Sequence, residues 1–317
     1  MERFAITGAA GFIGSHLAER LIKDGHEVIA IDNFDPFYSR SIKERNLKNL
    51  IGNPNFHMFN IDVRSEELML TLANTNVDTI IHLSARAGVR PSFLLPQSYI
   101  HHDVEATVNI LESCRKLDIT RLIFGSSSSV YGNMPELPYS EDIKLDKPIS
   151  PYAAAKLSCE LFNYVFHSQY GINITNLRFF TVYGPRQRPE MGIHKFTRQI
   201  WNNELIHMYG DGSSSRDYTY IDDIIEGLTL AIKKVDGYHT FNLGNSQPVL
   251  LKELIETIGR ALDMQYKFEI HLMQPGDVDH TLADISKARK ELNYNPSTSI
   301  KEGIDEFVKW FRQMNRR

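Results

Sequence analysis

The stretch SPYAAAKLS places Tyr152 and Lys156 four residues apart. Ser150 suits a helix N-cap and Pro151 suits the first helical position, so the spacing predicts both side chains on one helix face. A phenol titrates at about 10 in water; a neighbouring ammonium stabilises the phenolate and lets it work as a base nearer neutrality. Many chains carry a tyrosine and lysine at this spacing as a mere surface pair, so placement decides. Here the pair follows the apolar run Leu122-Ile123-Phe124 and the four hydroxyls Ser126–Ser129 of FGSSSSVYG. Ligands of open α/β sheets bind beyond the carboxyl ends of strands. A hydroxyl at that place can share or relay the proton of the substrate oxygen that the phenol attacks. A Ser-Tyr-Lys set of this kind suits oxidation of a secondary alcohol, given a hydride acceptor.

The sequence TGAAGFIG supplies a cradle for such an acceptor. Gly8, Gly11 and Gly14 follow the first apolar run and open a helix, the context a dinucleotide-phosphate loop requires. Gly8 permits the tight turn, Gly11 lets backbone approach a pyrophosphate, and Gly14 lets helix pack closely on strand. The helix start offers N–H groups and a positive dipole end. The spacing is GxxGxxG rather than GxGxxG, which is weak evidence by itself. Asp32 strengthens it, because an acid ending the second strand can bond an adenosine ribose. Asn33 rather than arginine comes next, which favours NAD over NADP. Asp62, ending the third strand, either contacts the adenine amino group or caps the following helix.

These residues need a frame. Short apolar runs recur at Phe4–Ile6, Val28–Ile31, Phe56–Ile61, Thr79–Leu83, Arg121–Phe124 and Ile172–Leu177. Helical patterns separate them, among them Gly11–Lys23 and the face Ile100, Val104, Val108, Leu111. The alternation predicts an α/β fold: a doubly wound parallel Rossmann sheet covered on both faces. After about residue 180 glycine, proline and charge become denser, and helices near Ile193–Trp201, Ile221–Ile232, Leu250–Ala261 and Ile300–Phe311 break up shorter strands. We therefore expect residues 1–180 to form the dinucleotide-binding domain, with elements returning near 221–245. Residues 181–317 would form a smaller mixed α/β substrate lobe, interleaved with it.

Bulk properties exclude several classes. The chain has 317 residues and a formal net charge of −4, which argues against a protein that coats nucleic acid or anionic membrane. No apolar run approaches the roughly 18 residues needed to span a bilayer. Cys114 and Cys159 are the only cysteines and have no ligand-type spacing, so buried free thiols are expected. With no signal-peptide pattern before the first strand, a cytoplasmic setting is the expectation. The twelve histidines form no HxxxH or HExxH pattern. His82 closes a strand, His101 and His102 lie on a helix, and His194 begins one; the proposed chemistry calls for no metal.

Taken together, TGAAGFIG, IDNFD, IHLSARAGVR, FGSSSSVYG, SPYAAAK, RFFTVYGPRQRP, SSRDYTYIDD and QPGDVDHTLAD resemble the extended short-chain dehydrogenases/reductases of the nucleotide-sugar epimerase group, nearly end to end. The resemblance implies NAD held by Gly8, Gly11, Phe12, Ile13, Gly14, Asp32, Asn33, Asp62, Leu83, Tyr152 and Lys156. It implies Ser127 as the substrate hydroxyl contact, with Ser128 the near alternative. Dehydratases of the group carry Asp-Glu before VYG, and related decarboxylases a Glu; Ser128 and Ser129 stand there instead, which suits simple 4-epimerisation. RFFTVYGPRQRPEM is most similar to UDP-glucuronate 4-epimerases. That likeness puts Thr181 and Arg188 near a sugar carboxylate, which a guanidinium matches through paired charge-assisted bonds; as loop charges, Arg186 and Arg188 would instead be solvated or meet a diphosphate. Arg216 resembles the diphosphate-binding arginine and Asp277 the acid that binds the uridine ribose. Gln274 stands where many relatives have arginine, and Asp103 where many have asparagine. UDP-glucose and UDP-N-acetylglucosamine 4-epimerases are the alternative reading. The group further implies a homodimer through a four-helix bundle, for which Leu157, Leu161 and Val165 offer a stripe; packing on the chain's own sheet is the other use of that stripe.

Overall fold

A computed structural model describes residues 1–274 and 276–315. Six strands come first: β1 (Arg3–Thr7), β2 (Glu27–Ile31), β3 (Phe56–Phe59), β4 (Thr79–His82), β5 (Arg121–Ser127) and β6 (Asn173–Phe179). They are followed by β7 (Thr181–Tyr183), β8 (Ile206–Tyr209), β9 (Ser215–Tyr220), β10 (Tyr238–Leu243), β11 (Pro248–Leu250) and β12 (Phe268–His271). The main sheet has the order β10-β6-β5-β4-β1-β2-β3, with parallel registers such as Ala5↔Ile29, Ile6↔Ile81 and Ile81↔Ile123. The order doubles back on either side of β1, as a doubly wound sheet must. β1, β2 and β4 are almost wholly buried, which explains their continuous apolar runs.

The chain divides into two compact units. The first comprises Met1–Gly132, Lys144–Arg178 and Ile225–Phe241. One face of its sheet is packed by Leu68 and Leu72, by Ile110, Leu111 and Cys114, and by Phe166, all buried beside Ala5, Ile29, Ile80 and Leu122. The helix Pro151–Tyr170 starts as its sequence predicts: the Ser150 Oγ accepts the Ala153 N–H at 3.1 Å, and Pro151 occupies the first turn.

The second unit comprises Asn133–Ile143, Phe179–Ile224 and the described part of Asn242–Arg317. It contains the sheet β11-β9-β7 and the parallel pair β12-β8. The segment Asn133–Ile143 joins this unit because Tyr139 bridges to Ala283 and its N–H donates to the Leu282 carbonyl at 2.7 Å. The buried Asp217 carboxylate gathers the N–H groups of Asn245 (2.7 Å), Ser246 (2.9 Å) and Ala283 (3.0 Å). Those bonds tie three separate segments together around the motif that carries Arg216.

Both cysteines are buried free thiols, pushed by burial to about 12 for Cys114 and about 11 for Cys159. Among the described residues no helix is long and apolar enough to cross a membrane.

Candidate active site

The phosphate loop lies between β1 and the helix Phe12–Lys23. Gly8 has φ +71°, a left-handed turn, and a Cβ there would stand 2.8 Å from the Ser84 backbone nitrogen. At Gly14 a Cβ would lie 2.3 Å from the Gly8 carbonyl oxygen, so the helix rests directly on the loop. Gly11, at φ −73°, caps the helix without a side-chain hydrogen bond, which leaves the first-turn N–H groups to face an anion. The cradle is therefore the right shape for a pyrophosphate, and Phe12 and Ile13 begin the helix whose N–H groups would hold it.

Asp32 is buried just past β2. Its carboxylate accepts the N–H of Ala10 at 3.1 Å, the N–H of Phe34 at 2.8 Å and the Lys43 ammonium at 3.2 Å. Asp32 thus braces the glycine loop at the end of β2. Lys43 and Asn46, whose amide donates to the Ala10 carbonyl at 3.0 Å, complete this brace. Sequence reasoning passed over both, because their partners Asp32 and Ala10 lie far from RSIKERN in the chain. Asp62 is clamped by Arg64 at 2.9 and 2.7 Å and also accepts the Arg64 N–H, which caps the turn. Asn33 donates to the same carboxylate at 2.9 Å. The Arg64 guanidinium holds the Asp62 carboxyl well below the usual carboxylate range. Leu83 follows β4, its N–H donating to the Thr7 carbonyl at 3.2 Å.

The four serines at the end of β5 prove unequal. Ser126 is buried and donates to Glu160 at 2.6 Å. Glu160 in turn takes two bonds from Arg178, at 3.0 and 2.8 Å, and Arg178 also donates to the Tyr131 hydroxyl at 2.9 Å. This buried pair locks Ser126 and the VYG turn in place. Glu160 continues the helical row Tyr152, Lys156, which is the signal that could have found it. Ser127 caps the short turn Ser128–Tyr131 and accepts from the Ser129 N–H (3.2 Å) and hydroxyl (2.9 Å). In both of these bonds the Ser127 Oγ is the acceptor. Ser128 is half-buried beside it.

Tyr152 and Lys156 occupy one face of the Pro151–Tyr170 helix, at 9% and 3% exposure. The Tyr152 ring meets Tyr99 edge-on at 5.9 Å, and Tyr99 is fixed by a 2.9 Å bond to the Gly88 carbonyl. Lys156 donates to the Gly125 carbonyl at 2.9 Å, immediately before the serines, and lies over the Phe124 ring. The strand end and the helix face are thereby fastened to each other. Asp103 sits within a wide π-helical turn, Ile100–Glu105; one oxygen accepts the Arg86 N–H at 2.7 Å and the other has no hydrogen-bond partner among the described residues. Burial pushes its carboxyl up to about 6, against the pull of Lys156 and Arg86.

In the second unit, Thr181 opens β7 and is half-buried. The Arg188 Nε lies 3.0 Å from a Glu190 carboxylate oxygen, and Arg186 adopts φ +68° nearby in the chain. Arg216, on β9, donates to the carbonyls of Ser215 (2.9 Å) and Asp279 (3.2 Å). The Asp277 N–H donates to the Gln274 carbonyl at 3.2 Å; Pro275 of the same motif lies outside the described residues.

A family model described as GDP-mannose 4,6 dehydratase matches residues 5–307. The chain is 40% identical over 316 residues to a UDP-glucuronate 4-epimerase of Thermodesulfobacterium geofontis, covering 99% of this chain and 97% of that protein. Among solved structures it is similar to UDP-glucuronic acid 4-epimerase from Bacillus cereus in complex with UDP-glucuronic acid and NAD, with a TM-score of 0.93, 34% identity, and coverage of 98% and 99% of the two chains. It is also similar to a UDP-N-acetylglucosamine 4-epimerase from Methanobrevibacter ruminantium M1, with a TM-score of 0.91, 33% identity and 99% coverage of each chain.

Proposed function

Because the chain belongs to the GDP-mannose 4,6-dehydratase family and has the extended short-chain dehydrogenase/reductase fold, we propose that it is an NAD-dependent UDP-sugar 4-epimerase interconverting UDP-glucuronate and UDP-galacturonate. The observation that carries this reading is the buried Tyr152–Lys156 face fastened through Gly125 to the Ser127 turn, in a unit that also holds the glycine cradle. The name of the family points to dehydration, but Ser128 and Ser129 put no carboxylate before VYG to drive an elimination.

NAD, when bound, supplies a hydride acceptor and donor for the sugar C4. Tyr152 as phenolate takes the proton of the 4-hydroxyl, Ser127 aligns that oxygen through its hydroxyl, and Lys156 stabilises the phenolate. The substrate passes through a transient 4-keto sugar, whose other face is presented before C4 is reduced again. Arg216 and Asp277 anchor the UDP moiety through that turn. Thr181 and Arg188 receive the uronate carboxylate. Glu190 pairs with the Arg188 Nε at 3.0 Å, so a sugar carboxylate would have to exchange with it. The exposed side chains of the Pro151–Tyr170 helix support a homodimer, and two buried free thiols agree with a reducing, cytoplasmic setting.

Incubation with UDP-glucuronate and no added reductant should yield UDP-galacturonate, separated by chromatography, with no net absorbance change from free cofactor. Failure to form it would remove the reading. UDP-glucose or UDP-N-acetylglucosamine is the alternative substrate, supported by the likeness to the UDP-N-acetylglucosamine 4-epimerase structure. Arg188→Ala separates the two: it should harm turnover of UDP-glucuronate far more than that of UDP-glucose, whereas equal losses would favour a neutral sugar.

A further inference from the structure

The parallel pair β8–β12 carries a cluster that plays no part in the epimerase reading. Register pairs Glu269 with His207 and His271 with Tyr209. Side chains alternate along a strand, so His207, Tyr209, Glu269 and His271 share one face. The opposite face holds Ile206 and Met208, both buried, with Phe268 and Ile270 exposed at the partner strand. On the polar face His207 Nδ1 lies 2.9 Å from His271 Nε2. A Glu269 carboxylate oxygen stands 3.6 Å from the same His271 nitrogen and 4.0 Å from His207 Nδ1. All three candidate ligand atoms fall within 4.8 Å of one another.

We propose that His207, Glu269 and His271 form a site for a late first-row divalent metal of the zinc type. Around a tetrahedral ion with bonds of about 2.0–2.1 Å, neighbouring ligand atoms lie about 3.3 Å apart, and the observed separations bracket that value. Two imidazoles and one carboxylate form a donor set for zinc, cobalt or nickel; magnesium and calcium demand oxygen ligands. The ion takes the place of the hydrogen bond between the two imidazoles, which bind it as neutral rings with their protons on the other ring nitrogens, so binding weakens in acid. Three protein ligands leave a fourth position for water or an exogenous ligand. The ion also has structural work to do. A two-stranded sheet is marginal alone, and a metal joining His207 of β8 to Glu269 and His271 of β12 staples it. β8 is followed in the chain by β9, which carries Arg216, and β12 by the segment that carries Asp277, both proposed nucleotide contacts. No ordinary spacing motif announces the site, because its ligands are 62 to 64 residues apart on one side and two apart on the other, and only strand register unites them.

The test uses the full chain without a histidine tag, stripped by chelator and titrated with Co²⁺, then with Zn²⁺. Cobalt should bind one per chain with the strong visible absorption of tetrahedral coordination, and zinc should displace it. His207→Ala and His271→Ala should each abolish that spectrum, and Glu269→Gln should weaken binding at least about tenfold. Other histidine–acid pairs, such as His57 with Glu27 or His101 with Glu105, offer a single imidazole each and should not reproduce the signal. All three variants change half-buried or exposed side chains and should fold, which circular dichroism checks. A wild-type chain showing no tetrahedral cobalt spectrum, or a spectrum that survives in either histidine variant, overturns the proposal.

Discussion

Tyr152 and Asp103 make opposite demands on the same buried neighbourhood. Tyr152→Phe keeps the ring that packs on Tyr99 and deletes only the hydroxyl. Turnover of the UDP-sugar should therefore fall by roughly 10²–10⁴-fold while NAD extracted per chain stays unchanged; near-normal turnover would sink the base assignment. Asp103 presents a stability question. Its raised carboxyl means that the folded state prefers the neutral acid, so this contribution is full below about pH 4 and is lost as pH rises through about 6. The difference of about two pH units corresponds to a cost of about 3 kcal/mol in the ionised form. His82 and Cys159 lie in the same buried surroundings, where burial drives His82 down to about 3 and Cys159 up, so neither compensates by charging. Asp103→Asn keeps the acceptor for the Arg86 N–H and cannot ionise. Its melting temperature should match the parent near pH 4 and exceed it increasingly up to pH 7, then hold a constant lead. A lead that is the same at every pH would show that Asp103 is neutral or paired throughout.

At the level of elements, the phosphate loop is where sequence and geometry meet most closely. Gly14→Ala would push a methyl into the Gly8 carbonyl, and all three atoms within 3.0 Å of it are backbone. The helix Phe12–Lys23 must then lift from β1, at a cost of about 1–3 kcal/mol, and NAD affinity should fall with it. Gly192→Ala is the control: an added methyl meets nothing closer than 3.7 Å, at a helix start, so stability should hold. Equal behaviour of the two variants in thermal melts and NAD titration would refute the close-packing role. The strands of the main sheet were legible because buried parallel strands must be continuously apolar, and the Ser150–Pro151 start was legible because capping is local chemistry. Three features were not. Ile100, Val104, Val108 and Leu111 read as one face, yet Ile100 is exposed and Leu111 fully buried, because the π turn over Ile100–Glu105 slips the helical phase. The resemblance singled out Ser127 and Ser128 but gave Ser126 no role; only the distant Glu160–Arg178 pair distinguishes Ser126 as structural. Lys43 and Asn46 were not singled out, since their polar partners, Asp32 and the Ala10 carbonyl, lie eleven and thirty-six residues earlier in the chain.

For the whole molecule, the open question is what covers the outer face of the Pro151–Tyr170 helix. Its row Cys159, Glu160, Asn163 and Phe166 is buried in the unit's own core. The other side exposes Leu161 (62%), Phe162 (40%), Tyr164 (56%) and Val165 (49%), while Leu157 is half-buried. The stripe read from sequence is therefore not consumed by the chain's own sheet. Ile100 and the run Phe93–Leu95 add further exposed apolar surface in the same unit. Burying a leucine that would otherwise be exposed contributes about 1.5–3 kcal/mol, and a two-fold contact counts each residue twice. The proposed homodimer thus has a strong apolar drive centred on Leu161 and Val165. Leu161→Glu combined with Val165→Glu places four charges in that contact per dimer without touching the core row. Light scattering should give half the parent's mass for the double variant, with far-ultraviolet dichroism unchanged. Because Tyr152 and Lys156 lie on the inner face of the same helix, NAD retention measured on the variant tells whether pairing also steadies the site. A parent that is already monomeric, or a double variant that remains dimeric, would place the subunit contact elsewhere.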